Sequence, residues 1–314
     1  MKIGIYKPFK KVYFHDDKED NAAWSFEVTT VAKILARQGH KVSMLSDTDL
    51  RDGAFINIDT SGLNEIYDRI ILFSGTFSLD KEGEGIIDIL KGLTPRLDFM
   101  LTDLRLVPED KSKYEMFDTI YTQATKPIES IGHLAKQKYG AISEFILYKH
   151  EWDLSTEEMN ANKSTTFYFG GTERGRLDDF IEYVWRPNHV ITTKSAFFQT
   201  ENRVNRHEYM KLLDDTKYSI VIADVDYNEN SFITPRPYEY YIHDIVAFVD
   251  SKFDPDGHIV PVNDWCRVSS FKEMQVKINY LEENEEERMQ LLMKQRLVIT
   301  DEHITGSYVY ETIK

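Results

Sequence analysis

Three short segments carry residue types that chemistry needs, at spacings that chemistry can use. The richest lies within residues 223–239 and reads Asp224-Val225-Asp226-Tyr227-Asn228-Glu229-Asn230-Ser231-Phe232-Ile233-Thr234-Pro235-Arg236-Pro237-Tyr238-Glu239. It leaves an apolar strand, crosses a polar loop and opens a helix beside two prolines, where a missing N–H is tolerated. The start of a helix offers free N–H groups and a positive dipole end, both suited to phosphate. Arg236 adds a forked cation that matches a diphosphate, and Glu239 can accept two hydrogen bonds from a ribose diol. The same spacing also describes a first helical turn closed by an Arg–Glu surface pair, so the segment alone leaves both readings open.

The second segment is Tyr168-Phe169-Gly170-Gly171-Thr172-Glu173-Arg174-Gly175-Arg176. A strand ends in paired glycines that let a backbone approach a ligand closely, and Arg174 and Arg176 are placed to clamp phosphate. The spacing matches neither a P-loop nor a dinucleotide fingerprint. In the third segment, Thr102-Asp103-Leu104-Arg105, a carboxylate ends an apolar strand, where parallel sheets present functional groups. Asp103, held near a hydroxyl and partly desolvated, has the chemistry of a general base; a loop cap or a pair with Arg105 is the alternative. Glu27 lies near the amino end of a helix, where the dipole favours a carboxylate in any case.

Other chemistries find no support. The nine histidines form no paired metal motif, no nucleophile elbow of the G-x-S-x-G type appears, and the single cysteine, Cys266, excludes an intrachain disulfide and a cysteine-rich metal site. No dedicated metal ligands are identified. No apolar run reaches the roughly 18 residues of a membrane span, so no membrane partner is expected, and the chain reads as a cytoplasmic monomer. With 38 basic and 53 acidic residues the formal charge is −15, which by itself argues against a polynucleotide partner. A local basic patch on an acidic body remains compatible with one.

The elements that must position these residues alternate between strand and helix, the pattern of βαβ units. Strands are expected over residues 2–6, 41–46, 69–73, 96–102 and 119–122, then 165–169, 189–192, 218–223 and 245–249. Helices are expected over 23–37, where Gly39 stops the chain, after Pro127, and over 176–184, 207–214 and 271–292. A polar stretch at 152–163 reads as a linker. At 314 residues the chain predicts two α/β domains, each doubly wound, facing across a cleft at the carboxyl ends of their strands.

Taken together the segments resemble the bacteriophage DNA β-glucosyltransferase family, which moves glucose from UDP-glucose to 5-hydroxymethylcytosine in duplex DNA. The resemblance is carried by the opening Met1-Lys2-Ile3 strand, the Glu27 helix ahead of Gly39, Thr102-Asp103-Leu104-Arg105-Leu106 and the Gly170-Gly171 turn with its arginines. Its fullest stretch is Asp224-x-x-Tyr227-Asn228-x-Asn230-x-Phe232-Ile233-Thr234-x-Arg236-x-x-Glu239.

The resemblance implies a GT-B fold of two Rossmann-like domains. Residues 1–158 would form the acceptor (DNA) side and 159–295 the UDP-sugar domain, with 296–314 packing back on the first. It implies Asp103 as catalytic base and Glu27 as a second acid near the sugar. Gly170, Gly171, Thr172, Arg174, Arg176, Asp224, Tyr227, Arg236 and Glu239 would bind the donor, the arginines as a diphosphate clamp. The reaction is an inverting transfer from a UDP-sugar, glucose first, to the hydroxymethyl group of a 5-hydroxymethylpyrimidine flipped out of double-stranded DNA. A divalent cation, Mg2+ or Mn2+, is compatible with the leaving diphosphate. For a phage-encoded protein the cytoplasm would be the host's.

Three departures bear on this expectation, one of them an extra residue near Ser231. The turn after Gly171 is about two residues shorter than the family pattern, and the acidic charge requires basic residues to gather at the DNA entrance. Lys7, Lys10 and Lys11 after the first strand, with Arg105, Lys111 and Lys113 after the Asp103 strand, are the expected set. The competing readings are a UDP-pentose donor such as UDP-arabinose, or a small-molecule or protein acceptor.

Overall fold

The computed structural model describes residues 1–7, 31–32, 35–36, 38–46, 66–73, 81–101, 115–122, 135–136, 159, 162–171, 173, 175–195, 197–202, 204, 206–224, 236–253 and 264–297. The chain divides into two compact units, Met1–Glu144 with Thr305–Lys314, and Phe145–Ile304. Asp103, Glu27, Lys10, Lys11, Arg105, Lys111, Lys113, Thr172, Arg174 and Tyr227 lie outside the described residues, as does the side chain of Lys7.

The first unit is built on β1 (Lys2–Lys7), β2 (Lys41–Ser46), β3 (Arg69–Phe73), β4 (Leu97–Leu101), β5 (Thr119–Thr122) and β6 (Ala135–Lys136). All pairs are parallel, in the order β2-β1-β3-β4-β5-β6. A parallel sheet is covered on both faces, so its strands read as continuous apolar runs, and every residue of β3 is buried. Helix α1 (Lys81–Leu93) was not predicted. The two glycines and three charged residues that precede Ile86 hide a stripe of Ile86, Ile87 and Leu90 that packs into the core. The predicted stop at Gly39 is a Schellman ending. Gly39 takes φ +83°, its N–H donates to Ala36 O at 3.0 Å, and His40 N–H donates to Leu35 O at 3.1 Å.

The second unit contains β7 (Thr165–Gly170), α2 (Leu177–Asp179, continuing as a π-turn over Phe180–Val184), β8 (Val190–Thr192) and the hairpin β9 (Lys194–Ser195) and β10 (Thr200–Glu201). There follow α3 (Arg206–Asp214), β11 (Thr216–Val221), α4 (Arg236–Ile242), β12 (Val246–Asp250), β13 (Arg267–Val268), α5 (Phe271–Glu283) and α6 (Glu285–Arg296). The parallel sheet runs β13-β12-β11-β7-β8, so each unit follows the same sequence of strands from its own first one, with the second placed on the opposite side from the third. The helix expected over 271–292 breaks at Asn284, whose φ of −132° is extended rather than helical.

The core of this unit gathers Phe167, Phe169, Ile220, Phe248, Met274, Ile278, Leu291 and Leu292. Fully burying each such side chain is worth about 1.5–3 kcal/mol. The amino ends of the strands are tied by polar contacts. Asp215 accepts from Ser164 N–H at 2.9 Å and Thr165 Oγ1 at 3.0 Å. Arg296 donates to both oxygens of Asp244, at 2.6 and 2.8 Å, and Lys163 Nζ donates to the carbonyl of His243. Burial pushes the Lys163 ammonium down to about 8, against the pull of Asp244 and Asp214. Tyr240 and Tyr241 of α4 are both buried.

Candidate functional site

In a doubly wound sheet the strand order reverses at one point, and the loops that leave the two strands there open a crevice at their carboxyl ends. In the second unit that point lies between β7 and β11. Both sequence-predicted donor segments leave these strands: Gly170–Gly171 closes β7, and Asp224 follows β11.

The turn after β7 is closely packed around its paired glycines. A Cβ on Gly170 would stand 2.6 Å from Tyr168 Oη and 3.1 Å from Tyr209 Cε2. One on Gly171 would stand 3.0 Å from Phe169 Cε1 and 3.1 Å from Arg176 Nη2. Gly171 N–H donates to Thr192 O at 3.0 Å, which ties the turn to β8. Gly175 takes φ +72°, and a Cβ there would run into the carboxylate of Asp224. Asp224 therefore packs directly against the turn that carries Arg174 and Arg176.

That contact gives a checkable expectation. Gly175→Ala costs about 1–2 kcal/mol for the left-handed backbone alone, plus the collision with Asp224. In a unit of this size each kcal/mol lowers Tm by about 2–4 °C. The excess over the backbone cost disappears when Asp224→Gly is added, as calorimetry of the four variants will show; strictly additive changes in Tm would contradict the contact.

Arg176 lies with its guanidinium 5.5 Å from the centroid of the Phe169 ring, and its Nη1 donates to the carbonyl of Ile222. It thus clips the end of β11 to the turn after β7, and brings cationic donors to the crevice.

At the start of α4, Arg236 Nη1 donates to Tyr209 Oη at 2.6 Å, and that hydroxyl donates to Glu239 Oε2 at 2.9 Å. Arg236 Nη1 and Glu239 Oε2 are themselves 3.6 Å apart, one helical turn along the chain. The Arg236 side chain keeps 30% of its surface exposed and Glu239 keeps 13%, so the arginine is the more accessible of the two. Because α4 has only seven residues, its dipole is small and the local positive potential comes chiefly from the arginines.

Burial works against the Arg236 charge, but Tyr209, Tyr240 and Glu239 outweigh it and raise its pKa above the ordinary arginine value. Burial pushes Tyr209 well above the usual tyrosine range and Tyr168 up to about 12, partly opposed in the latter by the hydrogen bond with Thr192. Both phenols stay protonated. Tyr168 Oη lies 2.6 Å from Thr192 Oγ1, and its carbonyl accepts from Ser219 Oγ at 2.6 Å, so the floor of the crevice is held by side chains of three strands.

The structure brings Gly170, Gly171, Arg176 and Asp224 together at one set of strand ends, and joins Arg236 and Glu239 to them through Tyr209. Sequence reading missed Tyr209, Tyr168 and Thr192. Tyr209 lies in Arg206-His207-Glu208-Tyr209, ahead of β11, in a helix that no motif marks. In the first unit, β4 ends at Leu101, two residues before Asp103, and β1 ends at Lys7. Among the described residues no group of three or more His, Cys, Asp or Glu could hold a metal ion, and no helix is long and apolar enough to cross a membrane.

Residues 157–312 match the model of a family described as glycosyl transferase-like. No curated protein sequence matches the chain. Among solved structures, a DNA-modifying β-glucosyltransferase, determined with and without uridine diphosphoglucose, superposes with a TM-score of 0.70 at 18% identity, over 99% of this chain and 98% of that one. The T4 phage enzyme in complex with UDP and Mn2+ gives 0.67 at 17% identity, over the same shares. An apo structure of OtsA gives 0.57 at 9% identity, over 100% of this chain and 98% of that one. The fold is GT-B, and the resemblance to the phage β-glucosyltransferases holds along the full length at the level of that fold.

Proposed function

We propose that this chain, GT-B in fold and glycosyl transferase-like over residues 157–312, is an inverting glycosyltransferase that moves a sugar from a UDP-sugar to a hydroxymethylated pyrimidine in DNA. Glucose is the proposed sugar. The reading is carried by one observation: a guanidinium and a carboxylate, Arg236 and Glu239, stand side by side at the switch point of a parallel sheet, next to a turn closely packed around its paired glycines. A nucleoside diphosphate offers what each of them binds, phosphate oxygens for Arg236 and the ribose diol for Glu239. The resemblance in sequence and fold to enzymes that act on DNA with UDP-glucose supports both substrates.

In the proposed reaction Arg236 and Arg176, with Arg174, hold the diphosphate, and Glu239 orients the ribose. Asp103 takes the proton of the acceptor hydroxymethyl group while its oxygen attacks the anomeric carbon from the face opposite the diphosphate. The bond to the β-phosphate oxygen breaks, the anomeric centre inverts and UDP departs with the electron pair. The arginines meet the charge that grows on the β-phosphate with donors already in place, and no covalent intermediate forms. Glu27 is proposed as a second acid near the sugar. A divalent cation would enter on the diphosphate and add positive charge at the leaving group; the T4 phage enzyme has been solved with UDP and Mn2+. The described residues of this chain contain no acidic or imidazole cluster that would cage one.

The test is UDP release and nucleoside mass spectrometry after incubation with UDP-glucose and duplex oligonucleotides bearing hydroxymethylcytosine or hydroxymethyluracil. A mass gain of one hexose on either base supports the reading. The formal charge of −15 favours a second reading, transfer to a small molecule or protein; activity on the free nucleoside with none on duplex, or with UDP-arabinose alone, would favour the alternatives.

DNA entry is proposed to run over Lys7, Lys10, Lys11, Lys111 and Lys113, with Arg105. Reversing the charge of the five lysines weakens duplex binding and flattens its dependence on salt, because each lost phosphate contact removes about 0.9 from the log–log slope. Unchanged affinity from low to high salt would reject this placement.

A further inference from the structure

We infer that Tyr209 is a positioning residue whose hydroxyl keeps the Arg236–Glu239 ion pair, 3.6 Å apart, from closing into a direct hydrogen bond, so that each keeps a bonding position for the donor. This role rests on the reading of Arg236 as a phosphate ligand and Glu239 as a ribose ligand. Opposite charges three residues apart on a helix tend to pair directly, and an arginine–carboxylate contact closes to about 2.8 Å when nothing intervenes. Here the closest approach between Arg236 Nη1 and Glu239 Oε2 is 3.6 Å, with the Tyr209 hydroxyl bridging both at 2.6 and 2.9 Å. A neutral phenol suits this place. Its oxygen accepts from the guanidinium and its single proton goes to the carboxylate, and burial keeps that proton on across the physiological range.

The ring cannot easily swing away. It belongs to α3 and lies against Gly170, close enough that a Cβ there would come within 3.1 Å of it, with the Tyr168 ring 6.2 Å off on a tilted plane. Tyr209 therefore touches the glycine turn, the phosphate ligand and the ribose ligand at once, from a helix that carries none of the sequence motifs. Removing the hydroxyl lets the guanidinium fold onto Glu239 and occupy the donors and acceptors that UDP needs. The ring packing is untouched by that change.

The experiment is a double-mutant cycle of Tyr209→Phe and Glu239→Gln, read as UDP affinity by titration calorimetry, with Tm recorded for each variant. With Glu239 present, Tyr209→Phe weakens UDP about tenfold, the equivalent of one lost net contact. With Glu239→Gln the carboxylate charge that would capture the arginine is gone, and the same loss of hydroxyl costs less than about threefold. Equal penalties in both backgrounds, or no penalty in either, overturn the role, since a purely structural hydroxyl acts the same whatever stands at 239. Because phenylalanine keeps the ring, Tm of Tyr209→Phe stays within about 4 °C of the parent, roughly 1 kcal/mol for a unit of this size; a larger fall assigns the hydroxyl to the fold instead. Failure of the unaltered chain to bind UDP overturns the donor reading itself, and this role with it.

Discussion

Asp103→Asn leaves UDP binding where it was and lowers kcat about a thousandfold, within the 10²–10⁴ that a positioned general base contributes. The substitution is nearly isosteric, so what changes is the ability to accept a proton. A hydroxymethyl oxygen is a poor nucleophile while it holds its hydrogen, and asparagine cannot take it. Single-turnover transfer from UDP-glucose to hydroxymethylated duplex, with donor affinity measured separately, checks both halves of the statement. The acid limb of the pH–rate profile, which reports protonation of the carboxylate, disappears in the same variant. A normal kcat, or a loss confined to UDP affinity, would remove Asp103 from the chemistry and place it with the donor ligands.

Arg236→Met acts on the other substrate and in the other parameter. It removes charge-assisted hydrogen bonds worth about 1.5–3 kcal/mol each. With two of them lost to phosphate, UDP binding weakens by roughly 10²–10⁴-fold. Uridine, which has no phosphate, loses less than about threefold, since in the proposed reading this residue serves the diphosphate and not the nucleoside. Arg236→Lys keeps the charge and loses the fork, and falls between the two, near tenfold. Calorimetric titration of the three proteins with UDP and with uridine separates the cases. Parallel losses for both ligands would mean that Arg236 braces the crevice through Tyr209 rather than touching phosphate.

The fold was legible where burial on both faces made strands into apolar runs. Residues 69–73, 218–223 and 245–249 read as strands from their composition, and β3 and β12 are buried at every position. Helix α1 was not legible: Gly85 and Gly92 lower its propensity, and its formation depends on burying Ile87 and Leu90 against the sheet, a tertiary effect. The break between α5 and α6 was hidden by a run of glutamates that suits a helix at either side of Asn284. In the site, the paired glycines and the Arg–x–x–Glu spacing were visible because they are local. Tyr209 was not, because its part is defined by Arg236 and Glu239, 27 and 30 residues away, and no periodicity records such a meeting. The double service of Arg176, on a ring and on the carbonyl of Ile222 46 residues on, was hidden for the same reason.

The polar ties at the amino ends of the second unit's strands, Lys163 to His243, Asp215 to Ser164 and Arg296 to Asp244, lie at the opposite edge of the sheet from the crevice. Rigidity is thus anchored far from the loops proposed to hold the donor. Such a scaffold tolerates drift in its loops: under the proposed function, changes around 171–175 and 224–236 would retune the donor site while the fastening at the other end of the sheet goes unaltered. A lineage of related proteins built this way would diversify in what they attach far sooner than in how they fold.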